Sequence, residues 1–265
     1  MDQQNSSSLD QLDGKQAFPR LSINHLLLLM LTVSFSLACA ATDFAEELRR
    51  APAHWKWIAW GILTDAMAAG VKLFGLIVLV RGWLRGQKLA MAPGHWFFLV
   101  VGPIAFANLV CLPLRLLPLA WEGRYFGQIA AVQQGVTAAT YLVGVALCTI
   151  GVMKTPSRRW KIGLAMLWVL LACITVVNSS WAIRNLSRQP QWFSQHLIVM
   201  WAHLEFVFAV SFLIAAIIDG TARLRRDWLH YLALVAILLD SFTAVVSFGP
   251  TLGRCWASAI GWLFG

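Results

Sequence analysis

Three carboxylates, one ammonium and one imidazole stand inside stretches of otherwise apolar sequence: Asp65, Glu205, Asp240, Lys72 and His203. At the centre of a membrane-crossing helix a charged side chain costs about 2.5–3.5 kcal/mol, so such groups persist mainly where they bind something or carry protons. Their combined chemistry is that of a cation site: carboxylates accept from ammonium groups, and desolvation favours their protonated form. Lys72 follows Asp65 by seven residues, two helical turns, so the two share a helix face. Helical side chains lean toward the N-terminus, which aims the ammonium back at Asp65. The gap of about 10 Å is too long for contact. A water, or a carboxylate from another helix, must complete the pairing. His203 and Glu205 are two residues apart, about 200° around a helix, and cannot both point at one small site. Glu205 is assigned to the interior, because a carboxylate facing lipid is harder to tolerate than a neutral imidazole. His203 then turns toward a neighbouring helix.

The elements that must hold these groups are legible from composition. The chain has 265 residues, 59% hydrophobic and 12% charged. That excludes an ordinary water-soluble fold, in which about a quarter of residues are charged. It excludes disorder as well, and five cysteines without a dense spacing exclude a disulfide-stapled module. Seven windows are apolar and long enough to cross a bilayer: Leu21–Thr42, Trp57–Val80, Trp96–Leu112, Gly127–Gly151, Trp160–Ile183, Leu197–Ile218 and Trp228–Phe248. None alternates with the period of a barrel strand, and in lipid each must satisfy its own backbone hydrogen bonds. The expected fold is therefore all-α, a polytopic transmembrane bundle spanning 21–248. Residues 1–20 are expected as a polar tail, and 249–265 as a short interfacial segment.

The first window is preceded by Lys15 and Arg20 and ends in Ala38-Cys39-Ala40-Ala41, a pattern similar to a cleavage site. The long polar leader and near-bilayer length favour an uncleaved anchor; cleavage would leave six spans. Leu21–Ala41 resembles the N-terminal anchors of bacterial multi-pass proteins, a resemblance that implies no activity.

The net charge of +9 is compatible with a nucleic-acid partner, but its distribution points to lipid. Twelve Lys and Arg (Lys15, Arg20, Arg81, Arg85, Lys88, Lys154, Arg158, Arg159, Lys161, Arg223, Arg225, Arg226) fall on the side of the N-terminus, and eight on the other. By the positive-inside rule the N-terminus is cytoplasmic and the C-terminus outside, which sets the expected location as the bacterial inner membrane. Trp55, Trp57, Trp121, Trp181 and Trp192 mark the outer boundary; Trp83, Trp96, Trp160 and Trp228 mark the inner one. Asp43–His54 is expected as a short surface helix, and Arg184–His196 as an interfacial connection.

With this orientation, Ser34, Asp65, Asn108, Gln133, Asn178, His203, Glu205 and Asp240 lie roughly 6–12 Å below the outer boundary. The inner half offers Lys72 almost alone. The amides and Ser34 also fit a role as interhelical hydrogen-bonding groups. Gly127, Ala131, Gly135 and Ala139 recur every four residues, a close-packing seam expected to make that helix central. Pro103 is expected to kink its helix.

No phosphate loop, HExxH, nucleophile elbow or CxxC occurs. A disulfide between Cys111 and Cys255 is conceivable on position alone. No cofactor is expected. Haem is the alternative, with axial ligands from His25, His95 and His230 or from His54, His196 and His203. A metal site would use His203, Asp65, Glu205 and Asp240. The expectation for function is a transporter or ligand-sensing module taking a small polar or cationic ligand from outside. A haem- or metal-dependent enzyme and an assembly subunit are the other readings.

Overall fold

The computed structural model describes residues 21–50, 55–86, 92–111, 126–187, 194–221 and 227–243, with the side chains of 42–44, 46–50, 57, 126–127, 184–187, 194–203, 205–206 and 220–221 excepted. The described chain is all-helical: α1 (Ile23–Arg50), α2 (Trp55–Leu84), α3 (Pro93–Val110), α4 (Phe126–Lys154), α5 (Arg158–Ser187), α6 (Ser194–Thr221) and α7 (Trp228–Thr243). Each expected window coincides with one helix. Helices α1 to α5 are long and apolar enough to cross a bilayer, whereas the described apolar stretches of α6 and α7, Val207–Asp219 and Trp228–Thr243, are shorter. The expected tail 1–20 and end segment 249–265 lie outside the described residues. Of the expected surface helix Asp43–His54, Asp43–Arg50 continues α1 without a break, and 51–54 lie outside the described residues. Likewise α5 runs on through Arg184–Ser187.

Consecutive helices alternate in direction, so the starts of α1, α3, α5 and α7 meet the ends of α2, α4 and α6. This near end is tied by ring contacts of Trp228 with His25 and Phe74 and by the indole of Trp160 against Asp219.

The surface is apolar in a way water would not tolerate. Leu27 and Leu31 of α1, Leu142 and Val143 of α4, and Ile214 and Ile217 of α6 are exposed. Contiguous apolar surface of this extent on a folded chain is the surface of a membrane protein. Polarity on α1 is inverted: Thr32 and Ser36 face inward, where Val33 lies against the backbone of Gly70 on α2. Small hydroxyl residues permit this approach. Ser34 points the other way and is exposed, which corrects its expected place in an interior polar layer.

The centre of the bundle is α3 rather than α4. Residues Pro93–Phe98 are all buried, and Phe97, Phe98, Phe208, Phe212 and Trp160 form one aromatic core. The four-residue seam of α4 is not used for internal packing: Ala131 is buried, but Gly135 and Ala139 are exposed. The buried face of α4 instead runs through Ala138, Gly144, Cys148 and Gly151. The spacing of small residues marks a face of α4, but it is not the face that packs. Helix α3 continues through Pro103, which has no N–H to offer the carbonyl of Leu99. The adjacent Gly102 lets the α3 backbone approach Leu76 and the carbonyl of Lys72 on α2.

Two glycines make opposite predictions. A Cβ on Gly75 would stand 2.3 Å from the Phe98 ring, inside the core, whereas Gly135 meets nothing within 4 Å. Gly75→Ala is expected to destabilise by about 1–3 kcal/mol through overpacking. Gly135→Ala is expected to be neutral or stabilising by up to about 1 kcal/mol from helix propensity. Denaturant unfolding in micelles measures both.

Candidate functional site

Helices α2 and α7 run antiparallel and are joined twice. The Thr64 and Thr243 hydroxyls are 2.7 Å apart, and deeper in the bundle Lys72 Nζ donates to Asp240 Oδ1 at 2.6 Å. The direction of lean explains the second contact: Lys72 reaches toward the start of α2, and Asp240 leans toward the start of α7, so the two converge. Of the two completions open to Lys72, a water or a carboxylate from another helix, the structure has the carboxylate. The pair is not sealed, since the Lys72 and Asp240 side chains are 17% and 20% exposed. Asp65 is exposed on α2 rather than buried among helices, yet close enough to Asp240 for the two carboxylates to repel. The three groups thus form a partly open site with two acids and one base.

The remaining polar residues of the expected layer do not join it. Asn178 Nδ2 donates to the carbonyl of Ile174 on its own helix. Asn108 and Gln133 are half-buried, and among the described residues their side chains make no hydrogen bond. Glu205 and His203 lie on α6, but their side chains are outside the described residues. Among the described residues no three His, Cys, Asp or Glu come together as metal ligands. Cys111 is a free thiol, and Cys255 lies outside the described residues.

A second cluster occupies the near end, where sequence reasoning placed Lys72 almost alone. Asp227 caps α7, with Oδ1 accepting the backbone N–H of His230 at 2.9 Å and Oδ2 lying 2.9 Å from Nε2 of His95 on α3. The N–H of Gly94 donates to Nδ1 of His230 at 3.1 Å, and that of Ala92 to Nδ1 of His95 at 3.2 Å. Both rings thereby satisfy free donors at the start of α3. The Trp160 ring meets His230 edge-on at 4.8 Å, and its Nε1–H donates to Asp219 Oδ2 at 2.7 Å. Arg159 stands 3.6 Å from the other Asp219 oxygen. His95, His230, Trp160 and Asp219 are all buried.

Burial pushes the Asp227 carboxyl up. The hydrogen bond and charge of His95, with the backbone N–H and charge of His230, outweigh it and hold the carboxyl below its ordinary value.

The expectation that Trp96 and Trp160 sit at the headgroup boundary is corrected, since both are in the core, while Trp55 and Trp83 are exposed as boundary indoles should be. The signal that would have found this cluster is Asp227-Trp228-Leu229-His230. An Asp three residues before the end of a first helical turn is an N-cap pattern. Axial haem ligation by His95 and His230 does not fit the donor set. Each Nδ1 receives a backbone N–H, and His95 Nε2 faces Asp227.

The chain is by fold a membrane-type helical bundle. Compared with protein-family models, curated proteins and solved structures, it finds no match.

Proposed function

We propose that this protein is a multi-pass protein of the bacterial inner membrane, N-terminus in the cytoplasm and C-terminus outside, that binds a small cationic ligand to transport or sense it. The orientation rests on the excess of Lys and Arg around the near end, including the exposed Arg81, Arg85, Lys154, Arg158 and Arg159. One observation carries the ligand reading: the partly open Lys72–Asp240 pair, with the second carboxylate, Asp65, at its rim.

A buried ion pair contributes little stability over a hydrophobic replacement of similar volume, so stability alone does not account for it. Asp65 and Asp240 together exceed Lys72 by one negative charge. A small cation arriving from outside would supply the balance by competing with the Lys72 ammonium for Asp240. Lys72 would then return as the cation leaves, a counter-ion exchange that needs no helix to unfold.

The test is the thermal stability of the purified full chain in micelles, titrated with sodium or methylammonium chloride against choline chloride at equal ionic strength. Saturable stabilisation by one of the small cations is expected, about 2.7 kcal/mol at a hundredfold excess over its dissociation constant. It should vanish in Asp240→Asn and weaken in Asp65→Asn. An identical response to choline, or full retention of the response in Asp240→Asn, rejects the reading.

A further inference from the structure

We propose that His230 is a proton-operated latch: a proton taken up at Nδ1 from the near side frees α7 from α3 and so weakens the Lys72–Asp240 site. The proposal deepens the ligand reading above and rests on it for its second half only.

The latch is the hydrogen bond from Gly94 N–H to His230 Nδ1, which joins two helices in a buried site. It uses the lone pair that a proton would occupy. An imidazolium carries N–H on both nitrogens, so the protonated ring would set a donor against the Gly94 donor. The ring cannot withdraw while the helices stay in place, because a Cβ on Gly94 would already stand 2.6 Å from the His230 Cα. The backbones touch there.

Asp227, one turn away on α7, attracts a positive ring, but its Oδ1 holds the His230 backbone N–H and its Oδ2 faces His95 of α3. From α5 comes the edge of Trp160, with Arg159 beside it directed at Asp219 of α6. The adjacent Tyr231 presents its ring, and His25 of α1 lies against Trp228. A proton at Nδ1 of His95 would displace the Ala92 N–H in the same way, but that bond lies within the first turn of α3 and joins no second helix, while the contact of His95 with Asp227 would strengthen. His230 is therefore the responsive group.

Coupling follows from what α7 touches. Its first turn is held on α3 by Gly94 and His95, and its second half on α2 by Thr64 and Lys72. Helices α2 and α3 are locked together by Gly75 under Phe98 and by Gly102 against Leu76. Asp240 is ten residues, about 15 Å, beyond His230 on one rigid rod. Released at one end, α7 tilts as a body and carries Asp240 with it.

The experiment compares hydrogen exchange of the full chain in micelles at about pH 8 and about pH 5.5, spanning the range in which imidazole titrates, with intrinsic exchange rates divided out and no ligand added. In the wild type, backbone segments 92–98 and 227–235 should lose protection roughly tenfold on acidification, the equivalent of about 1.4 kcal/mol. His230→Asn keeps an acceptor oxygen near the place of Nδ1 but takes no proton, so its protection should be equal at both pH values. His230→Phe lacks the acceptor and should be unprotected at both. A flat wild-type profile overturns the latch by itself, as does the same acid loss in His230→Asn. Sodium and methylammonium titrations at the two pH values test the second half. Weaker binding at low pH in the wild type alone supports the coupling, and binding indifferent to pH overturns it while leaving the latch standing.

Discussion

Lys72→Met is expected to destabilise the protein by about 3 kcal/mol, the low end of the range for removing one partner of a buried ion pair. The lost bond itself is the smaller part. Most of the cost is the Asp240 carboxylate left without its counter-charge in an apolar bundle. The low end applies because Asp240 is 20% exposed rather than fully enclosed by the protein. Lys72→Met combined with Asp240→Leu removes both charges and is expected to recover most of the stability, within about 1 kcal/mol of wild type. Unfolding of the single and double variants in micelles gives the coupling energy directly. If the single variant is as stable as wild type, the contact is not sealed enough to act as an ion pair. The double variant also separates folding from ligand response: it should be stable and indifferent to sodium and methylammonium.

Asp227→Ala should cost a similar amount for a different reason. It removes an N-cap, about 1 kcal/mol, and a charged contact with His95, about 2 kcal/mol. Asp227→Asn keeps the cap and should lose mainly the second part. The sign of the pH effect follows from the carboxyl being held low in the folded protein. Its contribution is fully present above the ordinary Asp value of about 3.9 and disappears as pH falls through the lowered folded value. Wild-type stability should thus fall below about pH 4 more steeply than that of Asp227→Asn. Acid titration of the unfolding midpoint for the pair measures this. A parallel decline would show that the Asp227 charge contributes nothing in the folded state. This window is distinct from the one in which His230 acts, so the two effects can be read from one pH series.

The sequence marks Lys72 and Asp240 as costly intramembrane charges, and implies that a water or a carboxylate from another helix must complete the pairing of Lys72. It did not select Asp240, which lies 168 residues away. Periodicity specifies which residues share a face of one helix, but not which helix that face meets. The same limit explains α4. Its four-residue repeat of small residues is real, yet the face that packs is the one bearing Gly144 and Cys148. Near the chain ends of helices the error was of another kind. Asp219, Asp227, His95 and His230 lie within a turn or two of helix termini, where polar residues ordinarily meet headgroups. Here four termini converge, and the same residues satisfy one another instead.

What the sequence determined alone is local and energetic: long apolar runs must be helices because lipid offers the backbone no hydrogen bonds, and charges within them demand partners. Which partners they find was decided only in the tertiary structure. Packing of α3 at the centre brings α7 against both α2 and α3, and those contacts join residues that no helical period connects.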